Sequence, residues 1–135
     1  MNIPVVVVDN AETDRYIARR RFARSEGFGD IREYQSGTEF IQDFDVETLT
    51  DANKDAPIVV MMDISMPGKD GFQVIDEFRK RERNNSKASN LVFMVYTSSN
   101  AIIDREQAAS MKSVKGYFLK PLRKQDIEHI RELVG

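Results

Sequence analysis

Residues 58–71 read IVVMMDISMPGKDG, and this stretch decides the fold. It opens with five apolar residues and no polar alternation. That pattern marks a strand covered on both faces, as strands of parallel sheets are. Asp63 follows at once, then a turn carrying Met66, Pro67 and Gly71. Phe72, Val74, Ile75 and Phe78 then recur at helical spacing. Strand, acid, turn and helix in this order make one βα unit.

The same rhythm runs through the rest of the chain. Residues 3–8 form another apolar, β-branched run, and residues 12–25 carry Ile17, Ala18 and Phe22 at helical spacing until Gly27 stops them. Residues 31–34 read as a short strand, and residues 38–44 as a short helix with Phe40, Ile41 and Phe44 on one face. After the polar stretch 79–90 come an apolar strand at 91–96 and a helix at 102–111. A short strand at 117–119 and a last helix marked by Ile127, Ile130 and Leu133 complete the pattern. Five βα units predict an α/β domain with a parallel sheet, helices on both faces and right-handed crossovers. Ligands of such sheets bind at the carboxyl ends of the strands.

Composition limits the alternatives. The 135 residues fit one domain, residues 1–135, without repeats. The chain is 41% hydrophobic and 31% charged, with net charge -2. So even a balance speaks against a disordered tail or direct nucleic-acid binding. The absence of cysteine excludes disulfides, zinc thiolate sites and cysteine nucleophiles. The longest apolar runs are too short for membrane insertion, and no signal-peptide pattern is present, so a cytoplasmic protein is expected. Residues 43–55 are strongly acidic and read as a solvated loop or helix extension, with partner docking as the alternative. Arg15, Arg19, Arg20, Arg21 and Arg24 make the first helix basic, which reads as a solvated face or a surface for an acidic partner. His129, the sole histidine, reads as a surface residue of the last helix.

The residues directly after the strands carry the chemistry. They are Asp9 and Asn10 after the first and Asp63 and Ser65 after the third. Thr97, Ser98 and Ser99 follow the fourth, and Lys120 and Pro121 the fifth. The fold would bring two acids, a hydroxyl and a lysine to one sheet edge. Such carboxylates suit Mg²⁺, which prefers oxygen and keeps waters. A carboxylate is also a nucleophile toward phosphorus, and phosphoryl transfer needs mainly positioning and charge neutralisation.

The segments VVVVDN, VVMMDISMPGKDG, VYTSS and GYFLKP, in this order, resemble the signature blocks of response-regulator receiver domains. The resemblance covers essentially the whole chain and implies the flavodoxin-like, doubly wound strand order 2-1-3-4-5. It also implies that Asp63 is the phosphoacceptor, that Asp9 holds Mg²⁺ through water, and that the backbone carbonyl of Ser65 ligates the metal. Thr97 and Lys120 would bind the phosphoryl group, and Tyr117 would be an aromatic switch, unless it is simply packed. Ser65 and Ser99 fall at the variable positions that tune phosphoryl lifetime, and the Lys120-Pro121 bond would be cis. Implied partners are a histidine kinase or histidine phosphotransfer protein and a downstream protein target. A homodimer through the fourth helix, fifth strand and fifth helix is compatible with the family.

Asn10 departs from the pattern, because the family places a directly metal-ligating carboxylate there. Asparagine offers a carbonyl oxygen but no charge, so weaker Mg²⁺ binding is expected. Glu12 is a candidate to supply the missing charge. The leading expectation is a phosphorylatable switch; the alternative is a pseudo-receiver that acts as a constitutive interaction module. A hydrolase of the related aspartyl-phosphate class would need a further domain and a second catalytic aspartate. With Met1 in place and no effector domain after the last helix, a stand-alone receiver acting by protein contact is expected.

Overall fold

The computed structural model describes residues 2–45, 57–82 and 90–134, with side chains of Asp45 and Glu82 left aside. Five strands alternate with five helices among these residues. They are β1 (Ile3–Val8), α1 (Glu12–Ala23), β2 (Phe28–Tyr34), α2 (Gly37–Asp45) and β3 (Ile58–Met62). Then follow α3 (Gly71–Glu82), β4 (Leu91–Thr97), α4 (Ile102–Ser110), β5 (Val114–Leu119) and α5 (Lys124–Val134). All four strand pairings are parallel and the order is β2-β1-β3-β4-β5. This is the expected flavodoxin-like sheet.

The apolar runs of β1 and β3 are explained by the two faces of the sheet. Val6, Val8, Val60 and Met62 pack on one side with Phe40, Ile41 and Phe44 of α2 and Val74, Ile75 and Phe78 of α3. Val5, Val7, Val59 and Met61 pack on the other with Ala18 and Phe22 of α1 and Ile127 and Ile130 of α5. Alternate residues of one strand thus enter two different cores. Each fully buried side chain of this size contributes about 1.5–3 kcal/mol relative to exposure.

The edge strands are longer than their apolar residues suggest. β2 begins at Phe28 and includes Gly29 and Asp30; β5 begins at Val114 and includes Lys115 and Gly116. Their extent is set by backbone pairing to β1 and β4 rather than by apolar composition. Gly27 leaves α1 toward β2 with φ +93°, a conformation that side chains disfavour. Of the acidic stretch 43–55, only the beginning lies within the described residues. There Tyr34 donates a hydrogen bond to Asp43, and Arg32 lies 3.7 Å from the same carboxylate. Most of the polar stretch 79–90 also lies outside the described residues.

Candidate phosphorylation site

The register puts the ends of the central strands side by side. Val8 pairs with Met62, and Met62 with Val95. The ladder extends one step past each strand: Asp9 N donates to Tyr34 O (3.0 Å), Asp63 N to Val8 O (3.0 Å) and Lys120 N to Thr97 O (2.8 Å). Asp9, Asp63, Thr97 and Lys120 are therefore held by sheet-type hydrogen bonds at one edge. The Lys120-Pro121 peptide is cis.

The loop after β3 is pressed against its own strand. A Cβ on Gly71 would meet Asp63 O at 2.3 Å, so only glycine lets the start of α3 approach this closely. Asp70 caps that helix: Gln73 N donates to Asp70 Oδ1 (2.9 Å), and Asp70 N donates to Gln73 Oε1 (2.8 Å). This reciprocal pair is a capping box. The Asp70-Gly71 part of the sequence motif thereby fixes the backbone that carries Asp63.

Lys120 is the centre of the electrostatics. Its Nζ lies 2.6 Å from Asp9 Oδ2, 3.1 Å from Asp14 Oδ2 and 3.5 Å from Asp63 Oδ2. It also lies 5.3 Å from the centroid of the Tyr96 ring. Asp9 and Asp63 are buried. Burial alone would lower the Lys120 pKa, but the Asp9 contact, the charges of Asp63 and Asp9, and Asp14 together hold it above the ordinary value. Burial pushes the Asp9 carboxyl up, and the Asp63 charge adds to that push. Lys120 and the Ala11 N–H, which donates to Asp9 Oδ1 at 2.9 Å, oppose the rise without cancelling it. Asp9 Oδ2 receives no well-aligned hydrogen bond; its close contact to Lys120 is an ion pair.

The remaining sequence candidates surround this cluster. Asp63 Oδ1 accepts from Ser65 N (2.9 Å), and the Ser65 side chain is exposed. Thr97 is buried, and its Oγ1 accepts from Ser99 N at 3.1 Å. Ser99 Oγ donates to Asp104 Oδ2 (2.5 Å) and accepts from Ala101 N (3.2 Å), at the entrance to α4. Tyr117 donates its hydroxyl to Ser99 O (2.7 Å), and the Arg105 guanidinium lies 4.5 Å from its ring centroid. Asn10 is exposed beside buried Asp9, and Glu12 is exposed on the first turn of α1.

Three contributors were not legible in the sequence. Asp14 reaches Lys120 from α1. Arg15, on the same helix, donates to Asp9 O at 2.6 Å and lies 3.5 Å from Glu33. Tyr96 is buried beneath Lys120 with a hydroxyl that burial pushes to about 12. A first-turn acid such as Asp14 is ordinary helix chemistry, which hides any further role. Part of the basic face is also tied down internally: Arg19 pairs with Glu33 at 2.6 Å, and Arg21 donates to Leu122 O at 3.1 Å. His129 is exposed on α5, 5.6 Å from the Phe118 ring between centroids.

Known proteins share this fold. The chain is 26% identical over 133 residues to the two-component response regulator ARR7 of Arabidopsis thaliana, which covers 96% of this chain and 61% of that protein. It superposes on the crystal structure of a two-component response regulator from Cytophaga hutchinsonii with a TM-score of 0.83 and 22% identity, covering 99% and 98% of the two chains. The signal receiver domain of NarL from Mycobacterium tuberculosis gives a TM-score of 0.77 at 19% identity, covering 98% and 96%. The family model of the response regulator receiver domain matches residues 5–132, from within β1 to within α5. Because that match takes in all five βα units in order, the chain belongs to the response regulator receiver domains of two-component systems.

Proposed function

We propose that this receiver domain is a phosphorylatable switch, with Asp63 as acceptor of a phosphoryl group from a histidine kinase or histidine phosphotransfer protein. The observation that carries this reading is the Lys120 ammonium, 3.5 Å from Asp63 Oδ2 in a largely dry cluster. A carboxylate oxygen of Asp63 attacks phosphorus, the P–N bond to the donor imidazole breaks, and that nitrogen leaves with the electron pair and takes up a proton. Lys120 neutralises charge on the transferred group. The Thr97 hydroxyl, already accepting from Ser99 N, keeps its own hydrogen to donate to a phosphoryl oxygen. Water later attacks phosphorus, the bond to the Asp63 oxygen breaks, and the carboxylate returns.

Mg²⁺ suits this donor set. Among the described residues the buried Asp9 Oδ2 accepts no aligned hydrogen bond and already faces one cation, the Lys120 ammonium at 2.6 Å. Among the described residues no three histidine, aspartate or glutamate side chains form a ready-made metal cage. Mg²⁺ needs few carboxylates because it retains waters. Asp9, Asp63, the Ser65 carbonyl and the Asn10 side chain would hold it, and the ion would supply charge neutralisation at the phosphoryl oxygens. Asn10 supports the alternative reading as a pseudo-receiver, since it brings no charge.

The output surface is the α4, β5 and α5 side. Ile102, Ile103, Leu119 and Leu133 are exposed there, and among the described residues Tyr16 is the other large exposed apolar side chain. A downstream protein or a second copy of the domain would cover them. No helix among the described residues is long and apolar enough to cross a membrane; a cytoplasmic domain acting through protein contacts fits this reading. The test is incubation with acetyl phosphate, with and without Mg²⁺, read by intact mass. A Mg²⁺-dependent phosphate adduct on the wild type, absent in Asp63→Asn, is expected. An adduct that survives Asp63→Asn refutes the assignment, and no adduct at any Mg²⁺ concentration favours the pseudo-receiver.

A further inference from the structure

Lys120 has three carboxylate partners, and they differ in what their release would cost. Asp9 is fully buried, at 0% exposure, and leaving it unpaired would strand a charge away from water. Asp63 is buried and is itself the proposed acceptor. Asp14 projects from the first turn of α1, and its side chain is 29% exposed. Water can solvate it as soon as the ammonium departs. Its Oδ2 accepts a hydrogen bond from Lys120 Nζ at 3.1 Å.

We propose that Asp14 is a positioning residue of the phosphorylation site, holding the Lys120 ammonium in the resting domain and releasing it when a phosphoryl group arrives on Asp63. The proposal rests on the reading of Asp63 as acceptor. A phosphoryl group brings a charge of about -1.5 to -2 next to Lys120. That charge draws the ammonium away from Asp14, the partner that water solvates most readily on release. The Asp14–Lys120 contact therefore stabilises the resting state selectively and opposes phosphoryl binding. Asp14 also restores to the cluster a negative charge that Asn10 does not supply, from α1 instead of from the loop after β1.

Two measurements test this on the intact chain. The first follows the Lys120 side-chain ¹⁵Nζ resonance in the resting protein. The second titrates beryllium trifluoride, a mimic of the phosphoryl group on a carboxylate, at saturating Mg²⁺ with backbone amide shifts as the readout. Asp14→Asn is expected to move the Lys120 resonance and to tighten beryllium trifluoride binding about two- to fivefold, the range of a partly exposed ion pair. Asp14→Glu is expected to restore both wild-type values. Glu12→Gln removes an equal charge from the same helical turn and is expected to do less. An unmoved Lys120 resonance, unchanged or weaker binding in Asp14→Asn, or an equal effect of Glu12→Gln overturns the proposal. No uptake by the wild type overturns the acceptor reading and this proposal with it. Uptake that is indifferent to Asp14 overturns the proposal alone.

Discussion

Replacing Lys120 with methionine isolates the electrostatics of the site. Methionine keeps an unbranched apolar side chain while removing the ammonium, which lies 5.3 Å from the Tyr96 ring centroid. Three carboxylates within 2.6, 3.1 and 3.5 Å of Nζ then lose their shared cation. Removing one partner of a buried ion pair costs about 3–5 kcal/mol. The Lys120 side chain is 12% exposed, so water reaches part of the vacated position and a loss of about 2–4 kcal/mol is expected. With a urea slope of about 2 kcal/mol/M, the unfolding midpoint falls by about 1–2 M. The loss should also depend on pH. Burial already raises the Asp9 pKa in the folded state, and losing the ammonium raises it further. A carboxyl raised above its unfolded value binds more protons folded than unfolded, so its contribution to stability improves as pH falls through that window. The deficit of Lys120→Met relative to wild type should therefore shrink between pH 7 and about pH 5. Urea titrations of both proteins at the two pH values measure it. Equal midpoints at pH 7, or a deficit that grows on acidification, would refute the account of Lys120 as the counter-charge of buried carboxylates.

Further outcomes follow from the same geometry. Asn10→Asp should lower the stability of the metal-free domain by about 1 kcal/mol and tighten Mg²⁺ binding about tenfold or more, as read by thermal melts and Mg²⁺ titration; an unchanged Mg²⁺ affinity would place Asn10 away from the metal. Thr97→Ala should still take up phosphate by intact mass, while amide shifts around Tyr117 and α5 on phosphorylation shrink; full-size shifts would mean that the response bypasses the hydroxyl. Gly71→Ala should destabilise by about 3 kcal/mol or more, because its Cβ would lie 2.3 Å from Asp63 O. A urea midpoint equal to wild type would show that the loop yields freely.

Much of the architecture was legible because the central strands are buried on both sides. The unbroken apolar runs of β1 and β3 admit a covered parallel strand, and their alternate residues do enter separate cores against α2 and α3 or α1 and α5. A parallel sheet then dictates where loop residues gather, which places Asp9, Asp63, Thr97 and Lys120 at one edge from strand order alone. The amino-acid sequence alone thus determined the fold class, the order of elements and the sheet edge at which these four residues gather. Hydrophobic patterning is local and survives without knowledge of neighbours.

Tertiary contacts alone decided the extents of the edge strands and the ion pairs around Lys120. The extents of β2 and β5 depend on hydrogen bonds to β1 and β4, which polar edge residues do not advertise. Glu12 was the sequence candidate for the missing charge, yet the helix rotates Asp14 toward Lys120, 106 positions away in the chain, and leaves Glu12 exposed. Which of two first-turn acids faces the site depends on how α1 is seated on the sheet. That seating comes from Ala18 and Phe22 packing against β1, β3 and α5. Long-range packing therefore chose the ion pair, because a charge at the start of a helix stabilises it at low cost whichever way it points.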